Sequence, residues 1–348
     1  MMTLRQLAAG LAEVPASVAW VLADLGEARG KQELFTKQSP QRLKALREHA
    51  LIESAVSSNR IEGVTVEQDR VRPVLIGQAR LRDRDEEEVR GYRDALRLIH
   101  ELHTTLAVSE KTVRELHRLS RAGIGDAGRY RKGESEIVET QANGRQRVRF
   151  RAVEAASVGP SMTEWATLWK RSRSERWVHP LVGMAASNLD FLCIHPFRDG
   201  NGRVSRLLWL LQSYHLGYEV GRYISIERLV EAHKDRYYET LEHSSRGWHD
   251  GAHDPWPYIN FALFIVRAAY KEFEERLGRT AIPRGEKTAL VVGAVGRTGR
   301  RFRVADIRKE CPGVSLDLIR VTLKRMRAAG RVECLGRGRS AEWKKTSR

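Results

Sequence analysis

Residues 195–206 read His-Pro-Phe-Arg-Asp-Gly-Asn-Gly-Arg-Val-Ser-Arg, and this stretch sits between two segments with helical spacing. Upstream, Leu181, Val182, Met184, Ala185, Ala186, Leu189, Phe191, Leu192 and Ile194 recur at the period of a helix. They run into His195-Pro196, where the proline disfavours further helix, so a buried helix is predicted to stop at Ile194. Downstream, Val204, Leu207, Leu208, Leu210 and Leu211 resume the pattern, which places Gly200 to Gly202 at the amino end of a second helix. Unpaired backbone N–H groups at such an end bind anions, and glycine lets a phosphate approach closely. Arg203 and Arg206, three residues apart, share one helix face and can grip the same anion. Asp199 offers an oxygen ligand to magnesium, a cation commonly held by one or two carboxylates together with nucleotide phosphates. His195, with an ordinary pKa of about 6.5, can be neutral near pH 7 and accept a proton from an incoming hydroxyl.

The stretch matches, without a departure, the signature of the Fic family, which the chain resembles over roughly residues 10 to 275. The resemblance implies a mainly α-helical core with a small β-hairpin flap, and transfer of AMP from ATP to a Ser, Thr or Tyr hydroxyl of a protein. Under it His195 is the base, and Asp199 holds Mg2+ on the α and β phosphates. Gly200, Asn201, Gly202 and Arg203 form the anion cradle, Arg206 reaches the γ phosphate, and Phe197 joins them among the ATP-binding residues. Gly202 leans toward AMP transfer, because the branch of the family that phosphorylates its targets usually carries lysine there.

Gly128-Arg129-Tyr130-Arg131 and the segment after it resemble the flap that holds a target chain beside the histidine. Residues 136–140 and 145–150 flank Asn143-Gly144, a dipeptide suited to a tight hairpin turn. Either Ile137 or Val138 supplies the flap's apolar contact. Tyr237-Tyr238 resembles a tyrosine pair that lines the nucleotide pocket, although Ser245 stands where the family usually has asparagine and Asn188 where it often has histidine. Pro255-Trp256-Pro257-Tyr258 resembles a structural landmark before the closing helices. His179-Pro180 lacks the glycines and arginines that follow His195, and is read as a helix start.

Ser58-Asn59-Arg60-Ile61-Glu62-Gly63 resembles the family's inhibitory signature. The implied device is competition, with Glu62 paired to Arg206 in the place of the γ phosphate and Ser58 beside it, on a helix of about residues 50–63.

The formal charge is +17, and residues 281–348 hold +12 of it, with 18 Lys/Arg against 6 Asp/Glu. Gly278, Pro283 and Gly285 mark a boundary before them. Lys287 to Val295, Val304 to Cys311 and Ser315 to Ala329 read as three helices, followed by strands around Val332 and Trp343, the order of a winged helix-turn-helix. In the third helix Leu316, Ile319, Leu323 and Met326 form an apolar stripe beside a basic one of Arg320, Lys324 and Arg327. That face and the turn residues Arg337 and Arg339 suit a DNA backbone; a protein-binding module is the other reading. The expected organisation is therefore 1–100 helical with the inhibitory helix, 101–280 Fic core and 281–348 winged helix.

Three cysteines, Cys193, Cys311 and Cys334, show no paired spacing, which favours a reducing compartment and disfavours zinc. Without a leader-like amino terminus or a membrane-length apolar run, a cytoplasmic protein is expected. The partners implied are ATP, a protein target or the chain itself, DNA, and a second copy in a homodimer. Two alternatives to AMP transfer remain: a DNA-binding regulator that uses the fold as a nucleotide sensor, and a transferase of another phosphate-containing group.

Overall fold

The computed structural model describes all residues except 11–12, 37–39, 122–124, 141–145, 279–285, 312–313, 337–340 and 347–348, and omits the side chains of 33–36, 40–41, 139–140, 278 and 286. The chain divides into two compact units, Met1–Arg29 with Ala45–Phe273, and Gly30–Lys44 with Glu274–Arg348. In chain order the first helices are α1 (Thr3–Ala8), α2 (Ala16–Thr36), α3 (Pro40–Ile61), α4 (Gln68–Ile76), α5 (Arg84–Leu102) and α6 (Glu110–Ser120). A hairpin of β1 (Glu136–Thr140) and β2 (Gln146–Arg151) follows. Next come α7 (Val158–Glu175), α8 (Pro180–Ile194), α9 (Asn201–His215), α10 (Ile226–Ala232), α11 (Lys234–Ser245) and α12 (Trp256–Gly278). The remainder is α13 (Glu286–Arg297), β3 (Arg301–Arg303), α14 (Val304–Glu310), α15 (Leu316–Ala328), β4 (Val332–Cys334) and β5 (Glu342–Lys345). The protein is mainly α-helical, as its sequence predicts.

Helix α8 is the centre of the first unit: every residue from Leu181 to Ile194 is buried, which its nearly continuous apolar sequence requires. His179 caps it by accepting from the Leu181 N–H through Nδ1 at 3.2 Å, with Pro180 in the first turn. The helix meets α7, α9, α1 and α11, and its few polar groups are all tied. Trp165 Nε1 donates to Ser187 O at 2.7 Å, joining α7. Asn188 donates to Ser205 O at 2.7 Å and accepts from Tyr258 OH at 2.7 Å, so the residue that replaces a family histidine bridges α9 and α12. Asp190 accepts from the N–H groups of Thr3 and Leu4 at 2.7 and 2.9 Å and from Trp248 Nε1 at 2.8 Å. Burial pushes its carboxyl up to about 6. Cys193 is buried in the same helix.

The hairpin pairs Ile137 with Phe150 and Val138 with Val148, with a bulge between the two steps. Its turn, including Asn143-Gly144, lies outside the described residues.

In the second unit, Val291, Val295, Phe302, Ile307, Ile319, Leu323, Met326 and Trp343 form the core. Ser315 caps α15 by accepting from Leu318 N at 3.3 Å. The strands form an antiparallel sheet in the order β3-β5-β4. Strand β3 goes beyond the sequence reading: its three residues bury only Phe302, too short a run to show alternation. Arg337 and Arg339 lie outside the described residues. Among those described, no helix is long and apolar enough to cross a membrane.

Candidate active site

Helix α8 ends at Ile194 and hands the chain to His195 in the left-handed region, φ +51° and ψ +60°. A non-glycine residue there is held by its surroundings. Arg131 supplies them: its Nε donates to His195 O at 2.8 Å, its Nη2 to Ile194 O at 3.3 Å and to Val153 O, and its backbone N–H to Pro196 O at 2.9 Å. Nδ1 of His195 lies 3.3 Å from Leu192 O. A carbonyl only accepts, so Nδ1 carries the hydrogen and Nε2 keeps its lone pair. Burial lowers the imidazole to about 4, more than the Leu192 carbonyl raises it, and the ring is neutral at pH 7.

The loop closes through Asn201, whose Oδ1 accepts from Phe197 N at 2.9 Å and whose Nδ2 donates to Phe197 O at 2.8 Å. That amide side chain therefore shapes the turn rather than facing an anion. Phe197 is fully buried and stacks on His117, with ring centroids 3.7 Å apart and planes 1° from parallel. His117 accepts from Gly128 N at 2.8 Å through Nδ1, which leaves Nε2 to donate to Asp199 O at 3.0 Å. Gly200, φ +83°, immediately precedes α9, and a Cβ there would crowd Arg121 and His117 at 3.2 to 3.4 Å.

The end of α3 reaches both motif arginines. Arg206 donates through Nε to Ser58 Oγ at 2.8 Å and through Nη2 to Ser58 O at 2.9 Å and Glu62 Oε1 at 2.7 Å. Arg203 donates through Nη1 to Asn59 Oδ1 at 3.1 Å and to Glu88 Oε2. Burial is the largest influence on the Arg206 guanidinium and would lower it; the charge and hydrogen bond of Glu62, with Tyr237 and Tyr92, together outweigh it and hold the group above the usual arginine range. A Cβ on Gly202 would overlap Glu62 Oε1 and lie 3.2 Å from Arg206 Nη1. Arg206 Nη1 and Arg203 Nε are buried donors without a protein partner. The carboxylate of Glu62 thus rests where the start of α9, a residue without a side chain and an orphaned guanidinium N–H converge.

A cavity of about 670 Å³ opens here. It is lined by Glu62, His195 and Gly202, by both Ile137 and Val138 of the hairpin, by Tyr237 and Tyr238, and by Ser245. Both flap candidates, Ile137 and Val138, line it. Tyr237 is buried and Tyr238 half-buried; burial raises both phenols. Arg147 pairs with Glu242, and the Arg149 guanidinium sits 5.6 Å over the Tyr238 ring, so β2 is tied to α11 across the cavity. Of the predicted nucleotide-binding residues, Phe197, Asp199, Gly200, Asn201, Arg203 and Arg206 are not among its lining residues.

Asp199 stands beside a group of cations: Arg121 Nη1 at 2.8 Å, Arg84 Nη2 at 3.8 Å and Arg203 Nη2 at 3.9 Å. Burial works against its charge, but Arg121 and Arg203 hold the carboxyl below the usual range. One half-exposed hard oxygen donor fits a magnesium ion that draws the rest of its shell from phosphates and water. Among the described residues no group of three His, Cys, Asp or Glu forms a metal cage.

His117, Arg121 and Glu88 are not singled out in the sequence, and Asn59 and Arg131 stand there only as members of longer motifs, with no role of their own. Glu88 had a signal: Tyr92, Leu96 and Ile99 mark the buried stripe of α5, and Glu88 continues it one turn earlier. The sequence-predicted basic face of α15 is exposed at Arg320, Lys324 and Arg327, with Arg320 3.6 Å from Asp317.

The model of the Fic/DOC family matches residues 107–212, which contain α6 to most of α9. It is 25% identical over 279 residues to "Protein adenylyltransferase Fic" of Nematostella vectensis, covering 75% of this chain and 57% of that protein. A crystal structure of a Fic family protein from Desulfovibrio desulfuricans superposes with a TM-score of 0.62 at 22% identity, covering 97% of this chain and 98% of that one. A Fic domain containing signaling protein from Bacteroides thetaiotaomicron gives 0.61 at 19%, covering 74% and 98%. These two show the likeness of fold.

Proposed function

We propose that this Fic-domain chain transfers AMP from ATP to a hydroxyl of a protein, and that Glu62 restrains it. The observation that carries the reading is the meeting of three groups at one cavity: a neutral His195 with Nε2 free, the Glu62 carboxylate on Arg206 against Gly202, and the apolar hairpin residues Ile137 and Val138. The name of the Nematostella vectensis relative, a protein adenylyltransferase, points the same way.

In this reading a target side chain lies along the hairpin with its hydroxyl toward His195. The oxygen attacks the α phosphorus, a new O–P bond forms as the bond to the β-phosphate oxygen breaks, Nε2 takes the hydroxyl proton, and pyrophosphate leaves. Gly202 N–H, Arg203 and Arg206 hold the phosphates by charge and orientation. Asp199 would hold Mg2+, which when bound would neutralise phosphate charge. Tyr237 and Tyr238 form the wall against which the nucleoside packs. Glu62 competes with the terminal phosphate for Arg206, and a charge-assisted contact of about 1.5 to 3 kcal/mol corresponds to roughly ten-fold to one-hundred-fold repression.

The test is to incubate the chain, Glu62→Gly and Glu62→Gly/His195→Ala with magnesium and ATP labelled at either the α or the γ position, with and without cell lysate. Covalent α label that rises in Glu62→Gly and disappears with His195→Ala is expected. Label from the γ position would replace AMP transfer by phosphoryl transfer, and absence of any label despite ATP binding would favour a nucleotide sensor.

A second activity is supported by residues 286–346. Their order of helix, strand, two helices and two strands is compatible with a winged helix, and Ile319, Leu323 and Met326 of the apolar stripe of α15 are buried while Arg320, Lys324 and Arg327 point outward. We read this face as a contact for duplex DNA phosphates, with binding that weakens steeply as salt rises.

A further inference from the structure

Asp199 and Arg203 share an organiser. Glu88 is 1% exposed, and both its oxygens are occupied by guanidiniums: Oε2 by Arg203 Nη1, and Oε1 by Arg121 Nη1 at 2.8 Å and Arg84 Nε at 2.9 Å. The same Arg121 Nη1 lies 2.8 Å from Asp199 Oδ2, and Arg84 and Arg203 approach Asp199 at 3.8 and 3.9 Å. Two carboxylates therefore divide three guanidiniums. One of them is closed off from solvent and the other, Asp199, is 53% exposed.

We propose that Glu88 and Arg121 are positioning residues that set how much of the Asp199 charge is available to a divalent cation arriving with the nucleotide. The proposal rests on reading the cavity as an ATP site. Arg121 is the pivot, because a single nitrogen lies 2.8 Å from both carboxylates. With Glu88 ionised, the pull of Arg121 is divided, and Arg203 and Arg84 are held back as well. Neutralising Glu88 turns all three cations on Asp199, which repels a metal ion. Neutralising Arg121 removes the nearest cation from Asp199, which attracts one. Substitutions at two touching residues thus act in opposite directions, whereas a purely structural role would loosen the site in the same direction for both.

The experiment uses the full chain in the Glu62→Gly background, with Glu88→Gln, Arg121→Gln or both added. Mn2+ binding in the presence of α,β-methylene-ATP is followed by the electron paramagnetic resonance signal of free Mn2+, and thermal melts report folding. Glu88→Gln is expected to weaken Mn2+ binding on the order of tenfold and Arg121→Gln to tighten it several-fold, roughly the scale of one partly screened charge at these distances. The double variant returns toward the parent and serves if a single variant fails to fold. Shifts of one sign in both single variants, no shift in either, or a double variant far from the parent would overturn the proposal. A parent chain that binds neither Mn2+ nor the nucleotide analogue would instead remove the reading of the cavity, and this inference with it.

Discussion

Arginine does two different things in the two units of this chain. Arg203 and Arg206 are each 1% exposed and lie against carboxylates delivered by other helices, Glu88 from α5 and Glu62 from the end of α3. Arg320 and Arg327 on α15 face water beside Lys324, and the contact of Arg320 with Asp317 is exposed and 3.6 Å long. A buried guanidinium must be neutralised within the fold, so an anion that arrives there has to displace a resident carboxylate, and binding becomes a competition that can be regulated. An exposed guanidinium is neutralised by mobile ions, and binding becomes a matter of salt.

The largest expected effect tests whether the buried arrangement holds the fold together. Arg203→Ala leaves Glu88 closed from solvent with one fewer counter-ion, and removing one partner of such a buried set costs about 3 to 5 kcal/mol. Urea unfolding of the full chain measures it. A loss under about 1 kcal/mol, the size typical of an exposed pair, would erase the distinction between the two units.

Next is the competition itself. In Glu62→Gly the Arg206 guanidinium, released from Glu62 but still held by Ser58, and Gly202 become available to nucleotide, and ATP should raise the melting temperature of that variant more than that of the parent, since stabilisation grows as RT ln(1 + [L]/Kd). With about 1.5 to 3 kcal/mol of contact released, the difference is large enough to read by thermal shift. Equal shifts in both chains would show that Glu62 does not occupy the nucleotide's place.

Burial also separates the titratable groups. His195 is lowered to about 4, with burial the main cause and Glu62 acting against it. A base is active when deprotonated, so kcat/KM for AMP transfer by Glu62→Gly should stay level on acidification to about pH 5 and fall only as the pH nears 4, where the imidazole gains its proton. Removing Glu62 takes away a raising influence, so the limb moves no higher. An acid limb centred near 6.5, the value of an exposed imidazole, would mean that the ring is open to water.

What could be read from the chain follows the same line between local and distant causes. The stop of α8 at Ile194, the start of α9 after Gly200, the cap at Ser315 and the start at His179-Pro180 are decided by neighbours within four residues, and the sequence displays them. The pairing of Glu62 with Arg206 was legible only through the family resemblance, since 144 residues separate them. His117 on Phe197, Arg131 on the carbonyls of the turn at His195, and Arg121 between Glu88 and Asp199 join residues 33 to 80 positions apart; no periodicity records such contacts. Glu88 hides in the acidic run Asp85 to Glu88, where only its place one turn ahead of Tyr92 marks it as buried. Asn201 stands at the amino end of α9, where the sequence puts it, yet the structure gives its side chain to the Phe197 backbone, a turn-closing contact that a phosphate motif does not reveal.

The smallest expected effect belongs to the exposed side of the comparison. Lys324→Ala removes a solvated charge from α15, where Ile319, Leu323 and Met326 carry the packing on the opposite stripe, so stability should change by no more than about 0.5 kcal/mol. If the outward face meets DNA phosphates, the same substitution should weaken duplex binding about equally across unrelated sequences and reduce the slope of log K against log salt by about one. Filter retention or fluorescence anisotropy of the full chain at several salt concentrations gives that slope. Unchanged retention and slope, with folding intact, would remove Lys324 from any DNA contact. A loss confined to one sequence would move it from phosphate contact to base readout, since a phosphate contact carries no sequence information of its own.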